Sequence, residues 1–229
     1  MDVSEHSGQS HWIPLSDLMT GLMMIFMLIS ALFMLRVEQT TTLVVREYEV
    51  TREDLLRALQ DSFAKDLKQW DAEFLGDMTL RFNNPGVLFA TGSASLRPEF
   101  QKVLSEFLPR YIKILTAEKF RRSIKEVRIE GHTSSFWGNS SNQEAYFKNM
   151  ELSQARTRST LEYILKLPEL AANADWLKAH VTANGLSSSR PIRKPDESID
   201  ETASQRVEFR IVTNAEERME AIAKGIAQK

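Results

Sequence analysis

From Leu18 to Leu35 the chain reads LMTGLMMIFMLISALFML, a run with no charged residue, closed by Asp17 on one side and Arg36 on the other. No other feature constrains the fold so strongly. As a helix rising 1.5 Å per residue the run is about 27 Å long, close to the roughly 30 Å hydrocarbon core of a bilayer once Ile13 to Ser16 are added. The expectation is a single transmembrane helix over 14–36, after an N-terminal tail over 1–13. Two other readings compete with it. A cleaved signal peptide calls for a basic start, an apolar stretch of about 7–15 residues and a small-x-small cleavage site, none of which is present. The core helix of a soluble protein carries a polar face, whereas this run is apolar all round and rich in Met.

Charge gives a weak orientation signal. Met1 to Trp12 holds Asp2 and Glu5 and no Lys or Arg, while Arg36, Arg46 and Arg52 follow the span. A positive-inside count therefore puts the N-terminus outside, yet long following domains translocate largely regardless of charge.

Asp17 is the most informative residue of the segment. A carboxylate at mid-membrane costs roughly 2.5–3.5 kcal/mol on insertion scales and normally faces a partner helix or a water path. At the end of a span it can also reach the interface, and that alternative stays open. Its neighbours suit an ion site: Pro14 belongs in a first helical turn, Ser16 and Thr20 bring hydroxyls, and Gly21, four residues on, lets another helix approach the same face. Such a carboxylate can take up and release H+ or Na+.

From Val37 to about Phe74 there is no Pro or Gly. Leu55, Leu59, Phe63 and Leu67 recur at helical spacing with Leu56, Trp70 and Phe74. The expectation is an amphipathic helical linker over 37–75, spacing the membrane from something distant. Heptad phase fails around Thr40 to Thr42, so no coiled coil is expected.

The remainder alternates strand and helix. Met78–Phe82 reads as a strand, Asn83-Asn84-Pro85-Gly86 as a turn and Val87–Ala90 as a second strand. A helix follows Ser95 as N-cap, with Phe100, Leu104, Phe107 and Ile112 on one face. Lys125–His132 reads as a strand, then a polar loop to about Asn149, a helix over Leu152–Leu165, a helical piece over Asp175–His180, and strands HVTANGL and RVEFRIV. The fold class expected is α/β (α+β): a βαβαβ mixed-sheet sandwich over 76–214 with helices on one side of one sheet, and a C-terminal helix or tail over 215–229.

Composition removes several functions. With 29 Lys and Arg against 31 Asp and Glu, no basic excess exists to displace counterions from nucleic acid. The absence of Cys excludes thiolate catalysis and disulfides. His6, His11, His132 and His180 form no metal-binding pair, and no nucleophile, base and oxyanion set is visible, so neither a metal nor an enzyme is expected.

Five blocks appear in order: Gly92-Ser93-Ala94 before Leu96-Arg97-Pro98; Gly131-His132-Thr133; Asn149-x-x-Leu152-Ser153-x-x-Arg156; Asn184-Gly185; and Arg206-Val207-Glu208. They resemble the OmpA-like peptidoglycan-binding domain over roughly 78–213. Joined to a span carrying Asp17, the chain is similar to MotB-type stator subunits. Within that class the GHTSS variant and the long helical spacer resemble the ZorB-type components of Zorya anti-phage defence systems.

The resemblance implies that the C-terminal domain is periplasmic, the N-terminus cytoplasmic and the span in a bacterial inner membrane. It implies ion translocation at Asp17, with Ser16, Thr20 and Gly21 beside the path and H+ as the favoured ion, and no cofactor. The implied partners are a MotA-like (ZorA-like) multi-span membrane subunit, five copies to two of this chain, a second copy of the chain, and peptidoglycan. In the family a helix Arg takes the carboxylate of the diaminopimelate side chain and a GHTD Asp takes its ammonium. Arg156 matches the first, and its planar fork suits a carboxylate. The second position is Ser134, so the ammonium contact is weaker or comes from elsewhere.

Thr133, Asn149, Leu152 and Arg206 complete the expected site. Leu152 also suits a helix-start core residue, Arg206 a solvated or ion-paired side chain, and His132 a satisfied structural histidine. Phe136, Trp137, Tyr146 and Phe147 are read as a long aromatic loop that either packs on sugar or peptide, or pins itself as a local cluster. Three functions compete: an ion-driven stator in defence, a flagellar-type stator, and a passive tether between membrane and cell wall, for which Asp17 has no use.

Overall fold

The computed structural model describes residues 12–214, so the N-terminal tail before Trp12 and the expected C-terminal helix or tail from Ala215 lie outside the described residues. The chain divides into two units, one reaching to Tyr48 and the other beginning at Glu49.

The first unit is helical. Helix α1 spans Trp12–Phe63, with Pro14 in its opening turn, where a missing N–H costs nothing. Its stretch Ser16–Gln39 is long and apolar enough to cross a membrane, and none of it is buried within the chain. Leu22, Met24, Phe26 and Met34 are all about two-thirds or more exposed. A core helix would be covered by its own protein.

The second unit is built on one five-stranded sheet. In chain order the elements are β1 (Ala72–Phe74), β2 (Thr79–Phe82), α2 (Pro85–Leu88), α3 (Pro98–Leu115), α4 (Glu118–Arg121), β3 (Ile124–Gly131) and α5 (Asn142–Lys166). A 3-10 turn (Pro168–Asn173), α6 (Ala174–His180), β4 (Val181–Gly185), α7 (Glu201–Ser204) and β5 (Val207–Thr213) complete the order. Strand order is β1-β2-β5-β3-β4, with β3 and β4 parallel and every other pair antiparallel. From β2 onward this is the βαβαβ alternation with a closing strand.

Register explains the layering. Leu80 pairs with Phe209, which pairs with Ile129, while Phe82 pairs with Val207, which pairs with Gly131. Side chains directly opposite share a face, so these form the apolar face, and α3 covers it. Phe107 of α3 lies 5.3 Å from Phe209, 5.8 Å from Phe82 and 4.7 Å from Tyr111, ring to ring. The alternate residues Arg81, Glu208 and Glu130 pair across the opposite face.

Several expectations are corrected. Helix α1 ends at Phe63 and gives way to a turn and then edge strand β1, not to helix as far as Phe74. Leu55, Leu59, Phe63 and Trp70 are buried in the domain core, so the segment read as linker over 37–75 supplies part of the module. Phe63 is 5.3 Å from Phe107, with the Arg110 guanidinium 4.5 Å from its ring centroid. Arg110 also pairs with Asp66 at 2.6 Å and donates to the Ser62 carbonyl. Val87–Ala90 is not a strand: Pro85–Leu88 is one helical turn, which Pro at its start favours, and Phe89 makes an isolated bridge with Leu96. Helix α3 starts at Pro98 after Arg97, so Ser95 is not its cap. Helix α5 starts ten residues before Leu152, because Ser141 and Glu144 form a reciprocal capping box.

Candidate functional site

Helix α5 is drawn unusually close to the sheet. A Cβ on Gly185 would stand 2.3 Å from the Gln154 backbone nitrogen, and one on Gly131 2.7 Å from the Thr157 methyl and 3.0 Å from the Ser153 carbonyl oxygen. These glycines face each other in the β3–β4 register, and their missing side chains let α5 sit over the strand ends. Polar ties fix it there. Ser187 N–H donates to Ser153 Oγ at 3.1 Å, Ser187 Oγ donates to the Tyr146 carbonyl at 2.7 Å, and Thr133 N–H donates to the Ser187 carbonyl at 3.0 Å.

Arg156 projects from this anchored part of α5 into a narrow crevice lined also by Phe89, His132, Gln205 and Arg206. Its Nε donates to the Ser93 carbonyl at 2.9 Å and its Nη2 to the Ala90 carbonyl at 3.2 Å, while its Cζ lies 4.9 Å from the Phe89 ring centroid. The carbonyls belong to a turn in which Ser93 N–H donates to Ala90 O and Gly92 has φ 66°, a left-handed value natural to glycine. Burial lowers the guanidinium below its ordinary value, but an arginine stays cationic. Two of its five N–H groups serve the turn, and the Nη1 pair and one Nη2 hydrogen are left for a ligand carboxylate.

The expected site residues divide. Arg206 lines the same crevice but is spent within the protein: Nε donates to Glu208 at 2.7 Å, Nη1 to the Ser204 carbonyl at 3.1 Å and Nη2 to the Arg190 carbonyl at 3.2 Å. Asn149 is buried, and its Nδ2 holds the Phe136 carbonyl at 3.0 Å, fixing the preceding loop. Leu152 and Ser134 are half-buried, and Thr133 is buried with its hydroxyl unpaired. The aromatics do not form one loop. Phe136 and Trp137 precede α5, whereas Tyr146 and Phe147 lie on it, 5.8 Å apart ring to ring. Phe136 and Phe147 are 67% and 62% exposed, so neither is pinned by packing.

Sequence reasoning missed the charged network under the crevice. Glu208 accepts from Arg206 and also from Arg81 Nε at 2.8 Å, Arg190 reaches Glu130 at 3.3 Å, and His132 Nε2 lies 3.4 Å from Glu208. Burial alone would raise Glu208, but donors from His132, Arg206 and Arg81 hold it far below the usual carboxylate range. Burial holds His132 below its ordinary value. Glu130, His132 and Glu208 lie within metal-ligating reach of one another. Three guanidinium groups already neutralise the two carboxylates, so a divalent cation would have to displace them. The signal for this network was faint, since charged residues such as Arg81, Glu130 and Glu208 are mostly exposed unless paired.

In the first unit Asp17, Thr20 and Gly21 share one helix face at i, i+3 and i+4. Thr20 Oγ1 donates to the Ser16 carbonyl at 2.7 Å, and a Cβ on Gly21 would meet nothing within 4 Å. Asp17 and this face are exposed.

No family model matches the chain. The Zorya protein ZorB of Escherichia coli is 44% identical over 211 residues, covering 90% of this chain and 89% of that protein. Among solved structures, the cell wall anchor of the type VI secretion system (T6SS) from Pseudomonas aeruginosa has 23% identity, covering 68% of this chain and 96% of that one, at TM-score 0.46. A MotB-like protein from Desulfovibrio vulgaris has 26% identity, covering 70% and 94%, at TM-score 0.46. The periplasmic domain of Helicobacter pylori MotB has 16% identity, covering 64% and 84%, at TM-score 0.44. Sequence likeness through nine-tenths of both proteins decides the assignment: the chain belongs to the ZorB family of Zorya proteins.

Proposed function

We propose that the chain is the cell-wall-anchored, ion-conducting stator subunit of an inner-membrane rotary motor in Zorya-type defence. The observation that carries this reading is a fully uncovered apolar helix bearing Asp17, joined in one chain to a domain whose Arg156 stands in a crevice with donors to spare. Helix α1 crosses the membrane with its N-terminus cytoplasmic, and the sheet domain lies in the periplasm. One helix makes no ion path. A multi-span ZorA-like subunit surrounds two copies of α1, five to two, with Gly21 letting its helices approach the Asp17 face.

Protons bind and leave Asp17 as they cross, and the change of charge alters its contacts with the surrounding helices. Each charge crossing 100 mV releases about 2.3 kcal/mol, several times RT, which is ample to bias a stepwise rotation. The sheet domain holds the assembly to peptidoglycan, with Arg156 taking a stem-peptide carboxylate through a bidentate charged contact.

Two substitutions test the two halves. Asp17→Asn keeps volume and hydrogen bonding but cannot titrate, so membrane insertion and copurification with the multi-span partner persist while phage protection is lost. Full protection by this variant leaves only the passive tether. Arg156→Ala removes the charged partner of the carboxylate, worth roughly 1.5–3 kcal/mol, so pelleting of the chain with purified sacculi weakens about tenfold or more. Unchanged pelleting by a folded variant ends the assignment of Arg156.

A further inference from the structure

A ligand that presents a carboxylate to Arg156 and carries an ammonium beside it needs an anion on the other side of the crevice. Position 134, next along the chain from Thr133, offers only a hydroxyl. The buried acids nearby are committed: Glu208 to Arg206 and Arg81, Glu130 to Arg190. Glu201 is not. It opens α7, is half-buried, and accepts from Ser135 N–H at 2.8 Å and from Ser135 Oγ. Among the described residues no basic side chain lies within ion-pair distance of it. Its backbone carbonyl accepts from Gln205 Nε2 at 3.2 Å, and Gln205 lines the crevice with Arg156 and His132. Ser135 lies three residues beyond His132, so Glu201 ties together the two segments that leave the crevice wall.

We propose that Glu201 is the ammonium subsite of this crevice, supplying from a distant segment the anion that Ser134 lacks. The assignment rests on the peptidoglycan reading above and specifies the ligand: a side chain ending in both carboxylate and ammonium, as in a diaminopimelate stem. A carboxylate offers about four lone-pair sites, and Ser135 uses two. The remaining acceptors meet the ligand already positioned, because two hydrogen bonds fix the group before binding.

The test uses the full chain in detergent with purified diaminopimelate-containing sacculi, either native or N-acetylated, since acetylation removes the ammonium charge. Wild type binds acetylated sacculi about tenfold more weakly than native ones. Glu201→Gln binds native sacculi about tenfold more weakly than wild type and is indifferent to acetylation, while Ser135→Ala, which leaves the carboxylate in place, keeps its sensitivity. Equal binding of wild type to both sacculi overturns the subsite whatever the variants do. So does Glu201→Gln that binds native sacculi like wild type, or that still loses affinity on acetylation. Wild type that pellets with neither sacculus overturns the peptidoglycan reading itself, and the subsite with it.

Discussion

Phe63→Ala separates a spacer from a core. Phe63 sits in the last turn of α1, where a linker residue would be wet, yet it is fully buried among Phe107, Trp70 and Phe74 at ring separations of 5.3, 5.9 and 6.1 Å. Truncating a buried Phe to Ala costs about 3–5 kcal/mol in lost transfer energy and cavity. Removing the ring also deprives Arg110 of the aromatic face 4.5 Å from its guanidinium, about 0.5–1 kcal/mol more. For a domain of this size each kcal/mol lowers Tm by about 2–4 °C, so a fall of roughly 7–24 °C is expected. The assay is thermal unfolding of the full chain in detergent followed by tryptophan fluorescence, Trp70 being a direct neighbour. Arg57→Ala, exposed on the same helix, is the control and should stay within about 0.5 kcal/mol of wild type. If Phe63→Ala melts with Arg57→Ala, the end of α1 is a spacer and the domain boundary must move back toward residue 76.

Gly185→Ala drives a Cβ to 2.3 Å from the Gln154 nitrogen, a backbone atom that cannot swing aside. Denaturant titration should show a loss of about 1–3 kcal/mol or more, and sacculus binding should fall with it because α5 carries Arg156. Folding stability should also fall with acidity. Folded His132 is held below its ordinary value by burial, so below about pH 6.5 the unfolded chain takes up a proton that the folded one refuses, at up to about 1.4 kcal/mol per pH unit. Glu208, held low in the fold, adds a second loss of the same sign below about pH 4.5. Denaturant midpoints from pH 8 to 5 in wild type and His132→Gln check the first part, and an unchanged slope in the variant refutes it. Ser134→Asp adds a second carboxylate one residue from the Ser135–Glu201 contact, and should weaken sacculus binding or stability through like-charge repulsion. Tighter binding together with indifference to Trp137→Ala would reverse that expectation.

The sheet domain was legible because its signals are local. Strand alternation at Thr79–Phe82 and Val207–Thr213, and the apolar periodicity through Phe100, Leu104 and Phe107, report side chains that meet their neighbours within a turn or a strand. Arg156 was singled out by the ordered blocks, and the structure places it at the crevice. The features that escaped depend on distant segments. Leu55, Leu59 and Phe63 carry a helical stripe that looks alike whether it faces a partner helix or, as here, α3 and the turn after α1. Glu201 reaches Ser135 across 66 positions, and no local pattern announces that. The start of α5 was missed for a different reason, since Ser141 and Glu144 are a readable capping box standing in a stretch taken for loop.

Strand β1 is three residues long and closes one margin of the sheet. Its pairing with β2, Ala72 to Phe82 and Phe74 to Leu80, occupies hydrogen-bonding groups that would otherwise face solvent along an apolar strand. A long bare margin recruits other chains, and proteins commonly blunt it with a short terminal strand and outward charges. Here Glu73 on that strand lies 3.5 Å from Arg81. The short, charged strand β1 is therefore a guard against self-association. A fragment begun at residue 76 would lose the guard along with part of the core, and sticky, insoluble material is the expected product of cutting there.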